Sequence, residues 1–280
     1  MTQHPRRSLL CPNCRRLISI DDNVCPYCGL KNPSSHWQRI VGRGMSDAGQ
    51  LLKILIGVNA AMYILSLLIS ARSTNFSIHP FFFLSPDNRS LLLLGASGYI
   101  PIERLHRWWT LLSANYLHGS ILHILFNMIA LWQIGPLVMQ EYGNYRMFII
   151  YTLSGVFGFF VSYLAGVSFT IGASAAVCGL IGAALYFGRS RGGLYGHTIY
   201  RQIGGWAIGI FAFGFLVPAI NNWAHGGGML AGALLGYLLG YQERSPEKHG
   251  HKLAALGCVA VTALVLLWAV FSSLYLLLLS

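Results

Sequence analysis

The sequence predicts an all-α polytopic membrane protein in which seven transmembrane helices follow a small cysteine-rich segment. Hydrophobic residues make up 55% of the 280 residues and charged residues only 10%, and the mean hydropathy is +0.56. In soluble domains roughly a quarter of the residues are charged, so this composition excludes an ordinary soluble protein. Apolar runs of about twenty residues, the length that crosses the hydrocarbon of a bilayer, recur along the chain.

Seven of these runs are predicted to cross the membrane. They are Leu51–Ser70, Ile121–Met139, Met147–Gly166, Ser174–Phe187, Ile203–Ile220, Ala224–Tyr241 and Leu253–Leu279. The run at Ser174 is short, as expected of a helix that begins below the membrane surface in a water-filled depression. The connection Ala71–Leu112 holds only short apolar patches and is predicted to lie partly in the membrane interface, with Trp108 and Trp109 as aromatic anchors.

The lysines and arginines predict the orientation. If the amino terminus lies in the cytoplasm, fifteen of the nineteen fall inside and only Arg72, Arg89, Arg104 and Arg107 fall outside. The positive-inside rule therefore predicts a cytoplasmic amino terminus and an external carboxyl terminus. This asymmetry also explains the net charge of +11, so no nucleic-acid partner is expected. Residues 1–10 contain no apolar run typical of a cleaved signal peptide.

Four cysteines near the amino terminus form two CxxC pairs separated by ten residues, Cys11 with Cys14 and Cys25 with Cys28. Four thiolates close a tetrahedral zinc site, and bound metal supplies most of the folding free energy of so short a segment. The sequence thus predicts a zinc ribbon with a structural Zn²⁺ as the cofactor. A redox dithiol pair is the alternative, although no βαβ pattern surrounds either CxxC.

The chain is accordingly divided into four parts. Residues 1–31 are the zinc ribbon, 32–50 a polar linker, 51–241 the membrane core, and 242–280 a cytosolic loop with the seventh transmembrane helix. The role of the ribbon stays open among binding a cytosolic partner, sensing metal, and bracing the first helix.

Ser174 and His225 are the first candidate functional residues, each at the mouth of an apolar run and about fifty residues apart. An ionisable residue within a membrane is by default a functional candidate, and the pair suggests a nucleophile with its base. Glycines at a spacing of four below His225, Gly228 and Gly232 among them, predict that its helix packs closely on another. The alternatives are a serine bonded to a backbone carbonyl and a histidine that only joins two helices.

His123 and Asn127 stand four residues apart, so they share one face of the second predicted crossing. Two polar side chains are costly in hydrocarbon unless they point into a polar site. Together with the backbone N–H of Ser174 at a helix start, they are predicted donors for an oxyanion. Metal binding by His118, His123 and His225 is the alternative, although no carboxylate or thiolate accompanies them on the outer side.

These residues resemble the rhomboid intramembrane serine proteases over roughly Leu51–Tyr241. The family's GxSx motif is similar to Gly172–Ala175, its HxxxN motif to His123–Asn127, and its Ala-His with following glycines to Ala224–Gly232. The resemblance implies a rhomboid-like six-helix core plus one appended carboxyl-terminal helix. It also implies that transmembrane proteins are the substrates, that a bacterial inner membrane is the location, and that Ile203–Asn222 gates substrate entry.

The resemblance further implies that Ser174 is the nucleophile and His225 the general base. It implies that the oxyanion is bound by His123, Asn127 and the Ser174 amide. It also implies close helix packing at Gly172, Gly228 and Gly232. Three positions depart from the family pattern. Ala175 stands where the family usually has glycine. Cys178 replaces an aromatic residue on which the His225 ring would stack. Thr110 follows Trp109, where the family has an arginine. A non-proteolytic protein that binds or escorts transmembrane helices is the alternative function.

Overall fold

The computed structural model describes residues 8–11, 16–27, 29–35, 48–70, 75–76, 83–217 and 220–279. The predicted zinc ligands Cys14 and Cys28 lie outside these residues. The chain divides into two compact units, Met1–Leu55 and Ile56–Ser280, and each unit is described by itself.

The first unit contains a hairpin of two antiparallel strands, β1 (Ser8–Leu10) and β2 (Leu17–Ser19). Beside the hairpin, the buried residues Cys11, Ile18 and Cys25 form a small cluster. A cluster of this size buries little apolar surface, and segments this short usually fold with the help of a metal, disulfides or a partner.

The rest of the described chain is almost entirely helical, which confirms the predicted all-α fold class. The elements are α1 (Ala48–Ile69), β3 (Asn75–Phe76), β4 (Phe83–Ser85), α2 (Asn88–Leu93), a π-helical turn (Ile100–Arg104), α3 (Thr110–Ser113), a 3-10 turn (Ala114–Tyr116), α4 (Ile121–Tyr142), α5 (Asn144–Leu164), α6 (Ser174–Arg191), α7 (Gly193–Leu216), α8 (Asn222–Leu239) and α9 (His249–Leu279). The two short strands β3 and β4 form an antiparallel pair.

Five helices of the described chain, α1, α4, α5, α7 and α9, are long and apolar enough to cross a membrane. The two remaining long helices, α6 and α8, have 18 residues each and carry Ser174 and His225. Their glycines and polar residues lower the hydropathy but permit close packing inside the bundle. The protein is a multi-pass membrane protein.

Helix α6 occupies the centre of the bundle, where most of its residues are buried, and packs most closely against α8. On α8, a Cβ at Gly228 would overlap the carbonyl oxygen of Ala175, and one at Gly232 would overlap that of Gly179. The two backbones are therefore in direct contact, as small residues at this spacing allow. Gly182 of α6 also approaches α8 closely, since a Cβ there would overlap the carbonyl oxygen of Met229.

The described part of the long connection before α4 forms short helical elements. It contains α2, α3 and two single turns, and Leu91 and Leu94 are buried. Trp108 is half exposed and lies edge-on against Tyr163. Trp109 is partly buried and its ring lies where a side chain at Gly95 would be, so it packs against this part of the connection.

Candidate active site

The structure brings Ser174 and His225 together. The hydroxyl Oγ of Ser174 lies 2.8 Å from Nε2 of His225, which is a hydrogen bond between the first turns of α6 and α8. The close backbone contact of these helices makes this distance possible, since larger residues at Gly228 would hold them apart. Ser174 remains partly exposed while His225 is 6% exposed, so the imidazole is more enclosed than the hydroxyl.

The second ring nitrogen of His225, Nδ1, is buried and has no hydrogen-bond partner among the residues that the structure describes. For Nε2 to accept the serine proton, the neutral ring must carry its own proton on Nδ1. Within the described chain this arrangement is therefore a two-residue dyad, without a carboxylate that fixes the tautomer as in a three-residue triad.

His123 lies beside Gly172, two residues before Ser174. The backbone N–H of Gly119 donates to Nδ1 of His123 at 3.3 Å, so the proton of the neutral ring belongs on Nε2. A Cβ at Gly172 would lie 2.6 Å from that Nε2 and 3.8 Å from the Ser174 hydroxyl. The Nε2–H group of His123 thus points toward the turn that carries Ser174.

Asn127 lies one turn below His123 and is 6% exposed. One N–H of its carboxamide donates to the carbonyl oxygen of His123 at 2.8 Å. A carboxamide nitrogen has two N–H groups, so a second donor remains. His118 lies edge-on against His123, with ring centroids 5.1 Å apart, and both its buried ring nitrogens lack a hydrogen-bond partner among the described residues. No group of three metal-binding side chains is found in the described chain.

The backbone before Ser174 is fixed by its own contacts. The N–H of Gly172 donates to the carbonyl oxygen of Ala114 at 2.9 Å, which ties this segment to the 3-10 turn. Helix α6 then begins at Ser174, and the residue before it, Ala173, offers no side-chain cap. The first N–H groups of a helix lack partners within the helix, so the Ser174 amide is available to a negatively charged group at the positive end of the helix dipole.

The three departures from the family pattern have structural counterparts. Ala175 is fully buried, and its methyl group lies close to the position that a Cβ on Gly158 would occupy, so the glycine on α5 makes room for the alanine. Thr110 is also buried, and its hydroxyl donates to the carbonyl oxygen of Arg107 at 2.6 Å. Cys178 is 1% exposed.

Sequence reasoning missed a set of polar residues at the start of α8. Asn221 caps this helix and reaches Ser162 and Thr170 with its carboxamide. Its capping role has a recognisable signal, because an asparagine immediately before an apolar helix is a frequent N-cap. Its contacts with Ser162 and Thr170 have no such signal, since these residues lie far away in the sequence.

Comparison with known proteins supports the resemblance. Residues 105–242 match the Rhomboid domain. The chain is 35% identical to rhomboid protease GluP of Bacillus subtilis over 156 residues, which is 56% of this chain and 31% of the relative. It is 37% identical to RHOMBOID-like protein 5 of Arabidopsis thaliana over 161 residues, covering 56% of this chain and 52% of the relative.

RHOMBOID-like protein 4 of Arabidopsis thaliana is 32% identical over 158 residues, 56% of this chain and 40% of the relative. The chain thus spans about a third to a half of the length of these relatives. The matched residues include Ser174, His225, His123 and Asn127, and the fold is the predicted all-α membrane bundle. By its Rhomboid domain, this chain belongs to the rhomboid family.

Proposed function

We propose that this protein is an intramembrane serine endopeptidase with Ser174 as nucleophile and His225 as general base. The observation that carries the proposal is the 2.8 Å hydrogen bond between the Ser174 hydroxyl and Nε2 of His225 inside a membrane protein. A nucleophile within hydrogen-bond reach of its base is the arrangement that acyl transfer requires. Membership of a family that includes a named rhomboid protease supports the same function.

In the proposed reaction, Nε2 of His225 takes the proton of Ser174 as Oγ attacks the scissile carbonyl carbon. The resulting oxyanion accepts hydrogen bonds from the Ser174 backbone N–H, from Nε2–H of His123 and from the second N–H of Asn127. His225 then returns the proton to the leaving amine, and an acyl-enzyme forms. A water molecule deprotonated by His225 hydrolyses the acyl-enzyme and restores the hydroxyl.

The proposed substrates are transmembrane proteins cleaved near the outer face of the membrane. A helix hides its carbonyl groups in hydrogen bonds, so the scissile segment must be extended. Small or helix-destabilising residues at the cut would permit this at lower cost.

The test measures cleavage of a single-span reporter in liposomes and labelling of the enzyme by a fluorophosphonate. The wild type is compared with Ser174→Ala, His225→Ala and the control Ser190→Ala, which changes a serine near the other end of the same helix. We expect cleavage and labelling to fall by at least about a thousandfold in the two dyad variants and to persist in the control.

Full cleavage by Ser174→Ala would refute the proposed nucleophile. A wild type that neither cleaves the reporter nor reacts with the fluorophosphonate, but still captures transmembrane segments, would support the alternative function of binding or escorting transmembrane helices.

For the orientation we propose a cytoplasmic amino terminus, an external carboxyl terminus and a bacterial inner membrane as the location. Ser174 and His225 lie at the first turns of α6 and α8, whereas Arg189 and Arg191 lie at the last turn of α6. The dyad and these cations are therefore at opposite ends of the bundle, as the positive-inside rule requires of an outward-facing site. Single-cysteine labelling from outside intact cells tests this, and modification near Arg189 would contradict it.

We also propose that the amino-terminal cysteines bind a structural Zn²⁺. Cys11 and Cys25 are buried in one cluster. The backbone N–H of each donates to the carbonyl oxygen of the residue five positions later. Cys11 donates to Arg16 at 3.0 Å and Cys25 donates to Leu30 at 2.8 Å. The two CxxC pairs therefore begin in matching turns. Thiolates from both pairs would hold the metal, which would supply folding free energy to this small unit.

Metal analysis of the purified protein tests the zinc proposal. We expect about one zinc per chain in the wild type, and far less in a Cys11→Ser, Cys14→Ser variant. If the ribbon only braces the protein, that variant should have a lower yield at unchanged specific activity. A wild type free of zinc, with a disulfide in each CxxC, would support the redox alternative instead.

A further inference from the structure

The side chain of Asn221 joins three parts of the membrane unit near the dyad. Its Oδ1 accepts a hydrogen bond from the N–H of Ala224 at 3.1 Å, which caps α8. Its Nδ2 donates to the hydroxyls of Ser162 at 2.6 Å and Thr170 at 2.9 Å. The carboxamide thus uses both its oxygen and its nitrogen.

These partners lie on elements that determine where the dyad residues stand. Ser162 is fully buried on α5. Thr170 lies four residues before Ser174, and its backbone exchanges two hydrogen bonds with Ser97, at 3.0 and 2.8 Å. Asn221 therefore fastens the start of α8 to the segment that leads into Ser174.

Asn221 is also linked directly to His225. Its carbonyl oxygen accepts a hydrogen bond from the backbone N–H of His225 at 3.2 Å, within the first turn of α8. The His225 ring has no partner on Nδ1 among the described residues, so the side chain is held by its Ser174 bond and by its backbone. A displacement of this first turn would consequently move Nε2 away from Ser174.

Helix capping alone does not account for these contacts. An N-cap needs only the side-chain oxygen, which serine and aspartate supply equally well. The two bonds from Nδ2 reach hydroxyls on other segments and contribute nothing to the cap. We propose that Asn221 is a positioning residue for the dyad, whose carboxamide holds the first turn of α8, and hence His225, at hydrogen-bond distance from Ser174. This proposal rests on the proposed endopeptidase function.

The informative variant is Asn221→Ser, because serine retains the cap but is too short to reach both Ser162 and Thr170. We measure the rate of fluorophosphonate labelling of Ser174, the kinetics of reporter cleavage, and the unfolding temperature in the same detergent. We expect labelling and kcat to fall about tenfold through misplacement of the dyad. KM and the unfolding temperature should stay close to their wild-type values, because Asn221 is not proposed to touch substrate.

Two further variants test the link itself. Asn221→Asp should stay within about twofold of the wild type, because the Ser162 and Thr170 hydroxyls can rotate and donate to a carboxylate. As a single substitution, Thr170→Val should lower the rate of labelling. Added to Asn221→Ser it should lower that rate little further, since both substitutions remove the same hydrogen bond. Asp87→Ala, which removes the cap of α2 away from the dyad, is the matched control and should leave labelling unchanged.

The proposal would be overturned if Asn221→Ser were labelled by the fluorophosphonate at the wild-type rate. It would also be overturned if the lower labelling rate of Asn221→Ser were explained entirely by a smaller fraction of folded protein. A wild type that is not labelled would instead refute the endopeptidase function on which the proposal rests. Labelling of the wild type together with unimpaired Asn221→Ser would refute the positioning role alone.

Discussion

Gly172 is the residue at which the backbone before Ser174 comes closest to His123. Its φ of +122° is rarely adopted by residues with a side chain, and a Cβ there would lie 2.6 Å from Nε2 of His123. Gly172→Ala should therefore strain the turn and displace the imidazole from the proposed oxyanion site. We expect reporter cleavage to fall about a hundredfold, the size of losing one oxyanion donor.

Gly166→Ala provides the matched control for Gly172→Ala. Gly166 also has a positive φ, of +74°, but no atom lies within 4 Å of where its Cβ would be. This variant carries backbone strain without displacing His123, so its activity per folded molecule should stay near that of the wild type. Equal losses in the two variants would show that strain, rather than the contact with His123, limits activity.

The residues of the candidate site differ in how far the sequence could predict them. Ser174, His225, His123 and Asn127 lie within short motifs, where an isolated polar residue in an apolar run is itself a signal. The carboxamide of Asn221 instead bonds to hydroxyls 51 and 59 residues away. Such pairs depend on tertiary packing, and hydroxyls in membrane helices are too common to single out their partners.

At the scale of elements, the contact between α6 and α8 determines the geometry of the dyad. A Cβ at Gly232 would overlap the carbonyl oxygen of Gly179, so Gly232→Ala must push the helices apart. We expect a loss of about 3 kcal/mol or more in the free energy of unfolding, at the upper end of overpacking effects. Denaturant titration in mixed micelles measures this loss.

Gly226→Ala, on the same helix, is the control for this prediction. The nearest atoms to its added methyl group would belong to the Phe211 ring, at an ordinary 3.8 Å. Alanine favours the helix over glycine by about 1 kcal/mol, so this variant should be as stable as the wild type or slightly more stable. If Gly232→Ala proved equally stable, the close approach of the two helices would not hold in solution.

Each of the seven long helices overlaps one of the predicted apolar runs, but some of their ends could not be predicted. Helix α7 begins at Gly193, ten residues before the predicted start at Ile203. Its first turns contain glycine, histidine and arginine, so the apolar run does not extend over them. They are stabilised by tertiary packing instead, since the backbones of Gly188 and Gly196 approach too closely to admit a Cβ at either residue.

At the scale of the whole membrane unit, the guanidinium of Arg146 organises the end opposite the dyad. Arg146 is fully buried near the start of α5. Its guanidinium donates to the carbonyls of Gly240, Ser245 and Pro246 at 3.1, 2.9 and 2.8 Å, and to Nδ1 of His251 at 3.1 Å. A single side chain thereby holds the connection between α8 and α9 against α5.

Glu247 completes this arrangement from the same connection. Its carboxylate accepts a hydrogen bond from the backbone N–H of Arg146 at 3.0 Å, at the amino-terminal end of α5, where the helix dipole favours a negative charge. Burial raises the pKa of Glu247, which is the direction expected for a carboxyl group taken out of water. The connection and α5 thus bind each other through both a cation and an anion.

Removing Arg146 should therefore destabilise the membrane unit as a whole. Arg146→Ala removes the hydrogen bonds from a charged, buried donor to the partly buried carbonyls of Gly240, Ser245 and Pro246. Hydrogen bonds to charged groups contribute about 1.5–3 kcal/mol each, so we expect a large drop in unfolding temperature and in yield. Arg191→Ala is the control, because Arg191 pairs with Glu243 at the surface and its loss should change stability little. Similar unfolding temperatures for the two variants would mean that α9 is held by apolar packing alone. A drop confined to Arg146→Ala, at unchanged labelling of the remaining folded protein, would separate the stabilising end of the bundle from the end that carries the proposed dyad.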